Sequence, residues 1–210
     1  MKIAVIGTGN MGTGFAKSLA KTSHEVFIAS KDAGKAKEMA ASFGKNFRAG
    51  SVSEAAAFGE VIILTVGWFD IKDVLNEAGD LSGKVLIDIT NPLNKDFSGL
   101  AVGSGTSASE EIAKMSPKAK VVKAFNTVFA GVLQSSHDFN GMAPSVFFCG
   151  DDEDAKKMVN QLVRDFGYDP VDAGPLSSAR LLEQLGFINI SFGYKLGMGA
   201  NQAFRLLRRQ

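Results

Sequence analysis

The stretch Gly7-Thr8-Gly9-Asn10-Met11-Gly12 constrains this chain more than any other. It follows a short apolar run, KIAVI over 2–6, and precedes a helical pattern over about 11–21. Between a strand and a helix, each glycine of G-x-G-x-x-G has a physical task. Gly7 makes the tight turn, Gly9 lets the backbone approach a pyrophosphate, and Gly12 lets the helix pack closely on the strand. The helix N-terminus then offers unpaired N–H groups and the positive end of its dipole to phosphates. A dinucleotide site at the first turn is the expectation.

The rest of the chain alternates in the way such a site requires. Strands are expected at 25–29, near Phe47, at 61–66 and at 84–89, with helices at 33–43, 53–58 and 71–77 between them. The strands are apolar on both faces, as in a parallel sheet covered by helices on each side. The βαβαβ repetition marks a doubly wound fold. Further on, a helix at 107–115 is followed by strands at 120–124, 145–149 and 168–172. A helix over 151–166 opens on Asp151, Asp152, Glu153 and Asp154, which suit its positive end. A long apolar helix with serine caps is expected from 177 to about 192, then, past Gly193, Gly197 and Gly199, a basic helix over 202–209. The predicted class is α/β. It comprises a Rossmann, doubly wound, mostly parallel sheet over about 1–175 and a small C-terminal helical annex over 176–210, all in a single domain.

Composition removes other classes. Lys plus Arg is 23 and Asp plus Glu 22, a net charge of +1, which argues against a nucleic-acid or membrane-surface binder. Cys149 is the single cysteine, so neither an internal disulfide nor a zinc site has its ligands. No export signal and no membrane span is legible, and the expected location is the cytoplasm.

The end of the second strand chooses the dinucleotide. An NAD site places Asp or Glu there for the ribose 2′-OH. This chain has Ala29-Ser30-Lys31, with Lys35 one helical turn beyond. A hydroxyl and two cations suit a 2′-phosphate, hence NADP; Asp32 would be the missing acid only if the strand ran longer. Later strand ends supply a pocket rim: Thr65-Val66-Gly67-Trp68, Thr90-Asn91-Pro92 and Ala124-Phe125-Asn126-Thr127. Trp68 suits covering adenine or an aromatic acceptor, and equally a helix-start core position. Asn91 and Asn126 offer amides where a nicotinamide ribose and carboxamide would lie.

These residues resemble a known family. The fingerprint at 7–12, Ser30-Lys31 with Lys35, and Phe148-Cys149-Gly150-Asp151-Asp152 are similar to coenzyme F-420-dependent (hereafter F420-dependent) NADP oxidoreductases. So are Asp172-Ala173-Gly174-Pro175-Leu176, Ser178, Arg180 and Leu181, and Gly197-Met198-Gly199. Val122-Lys123-Ala124-Phe125-Asn126-Thr127 looks more like the cytoplasmic domain of the STEAP metalloreductases. The opening also resembles pyrroline-5-carboxylate reductase, a family with a longer C-terminal dimerisation domain. The resemblance implies that NADP(H) binds through Thr8, Gly9, Asn10 and Met11, with its 2′-phosphate at Ser30, Lys31 and Lys35. It also implies that Val66, Gly67 and Trp68, with Asn91 and Ala124, lie against the cofactor. Hydride would then pass between NADP(H) and F420, FMN or FAD. Both partners carry their own chemistry, so no catalytic acid–base pair is expected. Gly67 replaces the proline, and Phe125-Asn126-Thr127-Val128 the His-Thr-Ile-Pro turn, of archaeal F420 enzymes. That leaves the acceptor open between F420, a flavin and a ferric chelate.

A non-catalytic NADP(H) sensor is the rival reading. An open rim of Trp68, Phe125, Asn126 and the 175–180 turn would favour an enzyme; Trp68 or the C-terminal helix plugging it would favour the sensor. The remaining expectations are modest. His24 and His137 are read as surface-loop residues and Cys149 as a buried small hydrophobe. The Arg205, Arg208 and Arg209 cluster is read as a helix end, and the apolar 181–196 helix as the seam of a homodimer.

Overall fold

Along β1 (Lys2–Ile6), Ile3 and Val5 enter one apolar layer and Ala4 and Ile6 the other, all buried. That alternation requires cover on both faces of the sheet. The computed structural model describes residues 1–135 and 138–209. The other strands are β2 (Glu25–Ala29), β3 (Phe47–Gly50), β4 (Val61–Leu64), β5 (Val85–Asp88), β6 (Lys120–Ala124), β7 (Ser145–Gly150) and β8 (Asp169–Asp172). They form one sheet of eight strands in the order β3-β2-β1-β4-β5-β6-β7-β8. The first six run parallel, β7 is antiparallel to β6, and β8 is parallel to β7. This is the Rossmann order with two strands added at one edge.

On the first face pack α1 (Asn10–Leu19), α2 (Ala33–Phe43), α6 (Ala130–Gln134) and α7 (Glu153–Asp165). On the second face pack α3 (Val52–Phe58), α4 (Ile71–Ala78) and α5 (Ala108–Met115). Helix α8 (Ala179–Ile190) lies beside α5 and covers Cys149 of β7. Among the described residues no helix is long and apolar enough to cross a membrane. No group of three potential metal ligands occurs among them either.

Several boundaries move for identifiable reasons. β4 stops at Leu64, and the Thr65 hydroxyl just beyond it donates to the Ile6 and Gly7 carbonyls at 2.9 and 3.1 Å. Helix α3 starts earlier than expected on a Ser51/Glu54 capping box. Helix α7 starts later because Asp152 caps it, accepting from the Ala155 N–H at 2.8 Å. Helix α8 is preceded by a tight turn over Leu176–Ser178 and followed by a π-helical turn over Ser191–Lys195. Ser178, read as a cap, makes no side-chain capping bond there.

The expected basic helix over 202–209 is not formed. Gly197 and Gly199 both take positive φ (70° and 82°) and turn the chain out of helical geometry. The tail instead runs beside the start of β7. The Ser145 N–H donates to the Phe204 carbonyl at 2.9 Å, the Leu206 N–H to Ser145 Oγ at 3.1 Å, and Arg205 to the Ala143 carbonyl.

Candidate functional site

Strand order reverses between β1 and β4, and in sheets of this kind ligands bind outside the strand ends at that point. Gly7 sits there with φ +123°, a conformation other residues resist, packed against Thr65. A side chain at Gly12 would strike the Gly7 carbonyl, so Gly12 sets how closely α1 meets β1. A Cβ at Gly9 would meet nothing within 4 Å. Gly9 caps α1's first turn and lines open space. That turn has no side-chain cap, and its first internal bond runs from the Thr13 N–H to the Gly9 carbonyl at 2.9 Å. The N–H groups of Asn10, Met11 and Gly12 therefore have no helical partner. Space, amides and dipole together fit a pyrophosphate.

A groove of about 240 Å³ follows, lined by Thr8, Ser30, Lys31, Val66, Gly67 and Asp70 among others. Thr8 Oγ1 donates to Ser30 Oγ at 3.0 Å, and the Asp32 N–H donates to the same oxygen at 3.1 Å. Asp32 is occupied as the cap of α2, accepting from the Lys35 N–H at 3.1 Å, which holds its carboxyl below the usual range. Strand β2 ends at Ala29, so Asp32 does not extend it. Lys31 Nζ lies 2.8 Å from Asp70 Oδ1 across the groove mouth, and that carboxylate raises the lysine pKa. Lys35 is not in the groove. It borders a recess on the other side of Thr8, with its Nζ 3.7 Å from Asp32.

Thr65, Val66 and Gly67 are shared with a second cavity of about 400 Å³. Asn10, Met11, half-buried Trp68, Asn91, Phe125 and Asn126 line one side of it. Gly186, Asn189 and Ile190 of α8 and Tyr194 close the other. The turn at 175–180, expected on this rim, is not there. Arg180 is instead clamped to Glu110 of α5 by two bonds of 2.8 and 2.6 Å, and the Leu176 N–H is bound to Asp151. Ala124 also falls outside the lining. Its side chain belongs to the core, and the cavity begins at the next residue. Phe125 adopts φ 60°, unusual for a bulky residue, with its ring edge-on to Phe15 at 5.1 Å.

The two asparagines hold each other. Asn126 Nδ2 donates to Asn91 Oδ1 at 3.0 Å and to the Leu182 carbonyl at 2.7 Å; Asn91 Nδ2 donates to the Asn126 carbonyl at 2.7 Å. Asn126 Oδ1 and Thr90 Oγ1 are buried, have no bonding partner among the described residues and belong to residues lining the cavity. Such atoms cost free energy until something bonds to them. An amide-bearing ligand such as a nicotinamide carboxamide fits that need.

Beneath this cavity lies a cluster that the sequence did not announce. Lys123, Asp88 and Glu183 are 0%, 0% and 1% exposed. Lys123 Nζ donates to Asp88 Oδ2 at 2.9 Å, Glu183 Oε1 at 2.9 Å and the Thr90 carbonyl at 2.6 Å. Burial alone would neutralise these groups. Mutual attraction instead keeps Asp88 below and Lys123 above their ordinary values. A lysine in the run KVVKA reads as solvent-facing, and its partners stand 35 and 60 residues away.

His24 and Cys149 line neither the groove nor the cavity. His24 lies in the loop before β2, half-buried, with its Nε2 3.0 Å from Asp165 of α7. His137 lies outside the described residues. Cys149 is buried, and burial pushes its thiol up to about 12.

Glycine turn, groove and adjoining cavity on a doubly wound sheet are the features of a Rossmann-type dinucleotide-binding fold. Comparison with known proteins narrows the class. The family described as NADP oxidoreductase, coenzyme F420-dependent, matches residues 2–92. The F420-dependent NADP reductase of Methanothermobacter marburgensis is 32% identical over 212 positions, covering 93% of each chain. Rat metalloreductase STEAP3 is 31% identical over 185 residues, 88% of this chain but only 36% of that protein. The crystal structure of a candidate F420-dependent NADP-reductase from Arthrobacter sp. FB24 superposes with a TM-score of 0.88. Its identity is 31%, covering 99% of this chain and 100% of that one. The chain belongs to the F420-dependent NADP reductase family and is an NADP-dependent oxidoreductase.

Proposed function

We propose that this protein passes hydride between NADP(H) lying along the trough and a flavin-type ring, F420 or a flavin, seated against Trp68. The observation that carries this is the continuity of groove and cavity through the shared wall of Thr65, Val66 and Gly67. A dinucleotide needs both compartments. When bound, NADP(H) supplies the hydride-carrying carbon, and the acceptor ring supplies the receiving atom. The protein's task is to bind, orient and exclude water.

In this reading Gly7, Thr8 and Gly9 with the α1 amides hold the pyrophosphate. Ser30 and Lys31 take the 2′-phosphate, with Lys35 adding positive charge from beyond Thr8. Asn91 and Asn126 fix the carboxamide end, while Gly12 and Ala124 support from within. Trp68 and the C-terminal residues Gly186, Asn189, Ile190 and Tyr194 line the cavity and leave about 400 Å³ unfilled, which favours an enzyme over a sensor. Similarity to a metalloreductase keeps a ferric chelate as the alternative final acceptor, beside F420 and a flavin. The reading further makes the protein a single-domain cytoplasmic homodimer, with exposed Leu181, Ile188, Tyr194 and Leu196 around α8 forming the seam.

Lys31→Ala tests the cofactor assignment. Loss of a charge-assisted phosphate contact is expected to weaken NADPH binding roughly 10- to 100-fold. NADH binding, measured by the same fluorescence titration, should change less than about threefold, since it has no 2′-phosphate. Equal losses for both would remove Lys31 from the 2′-phosphate site.

A further inference from the structure

One cation faces two carboxyl groups in the cluster beneath the cavity, so it lies one proton short of neutrality. Asp88 is well served as a carboxylate. Besides Lys123 it accepts from Ser109 Oγ at 2.6 Å and from the Thr90 N–H at 2.8 Å. Glu183 is not. Its Oε1 accepts from Lys123 and from the Ala108 N–H at the start of α5, both at 2.9 Å. Its Oε2 is buried and has no partner among the described residues. Glu183 is therefore the member with an oxygen free to take the missing proton. The cluster reaches the cavity through Thr90, whose backbone it grips at both N–H and carbonyl. Gly186, one turn beyond Glu183 on α8, lines the same cavity.

We propose that Glu183 holds a proton while the cavity contains a neutral reduced nicotinamide and releases it when the ring is the oxidised cation. The inference rests on the nicotinamide end occupying this cavity. A positive ring in a low-dielectric site favours the cluster's anionic form, and a neutral ring favours its protonated form. The proton enters a balance that the reaction requires: NADPH + acceptor + H⁺ gives NADP⁺ + acceptor-H₂. Hydride carries two electrons and one hydrogen to the acceptor, and a proton completes it. Glu183 regains its proton from solvent when NADPH replaces NADP⁺.

The titratable groups of the surrounding elements are held in fixed states. From β5 and β6 come Asp88, held low, and Lys123, held high. From β7 comes Cys149, pushed up to about 12. Arg180 on α8 itself and Glu110 on α5 hold each other charged, raised and lowered respectively. Burial raises Glu183, with Lys123 opposing it.

The test counts protons released when NADP⁺ or NADPH binds the wild-type protein, by calorimetry in buffers of different ionisation enthalpy from about pH 5 to 9. The 2′-phosphate titrates in both nucleotides and cancels in the difference. NADP⁺ is expected to release up to about one proton more than NADPH within that window. The affinity ratio should swing toward NADP⁺ by up to about tenfold per pH unit there. Glu183→Gln should abolish the difference while both nucleotides still bind. Equal proton counts and a flat ratio in the wild type would overturn the inference, even if the variant fails to fold. A difference persisting in Glu183→Gln would overturn it as well. Failure of either nucleotide to bind would instead sink the proposed function on which it rests.

Discussion

Lys123→Met is expected to destabilise the protein by about 3–5 kcal/mol, the usual cost of removing one partner from a buried ion pair. Among the described residues its ammonium is the only cation that Asp88 and Glu183 bond to, and without it two carboxyl groups are buried with no counter-charge from them. In a chain of 210 residues the melting temperature should fall on the order of 10 °C. The pH dependence identifies the cause. In the variant both carboxyls have folded-state pKa values above their unfolded values of about 4, so the folded state binds protons more tightly. Stability lost at neutral pH should return as pH falls through those raised values. Differential scanning calorimetry at about pH 8 and pH 5 measures it. A variant as stable as the wild type at neutral pH would show that the cluster is not held by this charge.

Gly186→Ala should damage turnover far more than cofactor affinity. A methyl there would press on Asn91 Oδ1 and, at 2.7 Å, on Asn126 Nδ2, prising apart the pair that faces the cavity. Misplacement by about 1 Å at a reacting centre costs on the order of 100-fold in rate, and that is the drop in kcat expected. Binding of 2′,5′-ADP, which needs only the groove at Ser30 and Lys31, should stay within about twofold of the wild type. Steady-state kinetics and a fragment titration separate the two effects. An unchanged kcat would mean that the asparagine pair does not position the reacting ring.

The sequence carried its information unevenly. Strand β2 and helix α2 were legible to the residue, because apolar runs and alanine-rich segments meet clear breakers at both ends. The glycine turn was legible because its spacing encodes backbone geometry that glycine alone supplies cheaply. Contacts closed by distant segments were not. Nothing local to Lys123 announces Asp88 or Glu183, and nothing in residues 181–190 says that Gly186 touches the asparagines of two strand ends. The short helix α6 has too few residues for a period to show. The terminal residues read as a helix by composition, yet the backbone edge beside Ser145 offered them hydrogen bonds outside a helix. Arg180 also misled: its place in a family-like motif suggested the rim, whereas its partner Glu110 lies on α5.

The most direct test of the central claim is NADPH oxidation, followed by its near-ultraviolet absorbance, with F420, FMN, FAD or no acceptor and with NADH as control. Acceptor-dependent consumption with F420 or a flavin, faster for NADPH than for NADH, is the predicted result. Tight NADPH binding without consumption in the presence of any of these acceptors would contradict it and point to a sensor.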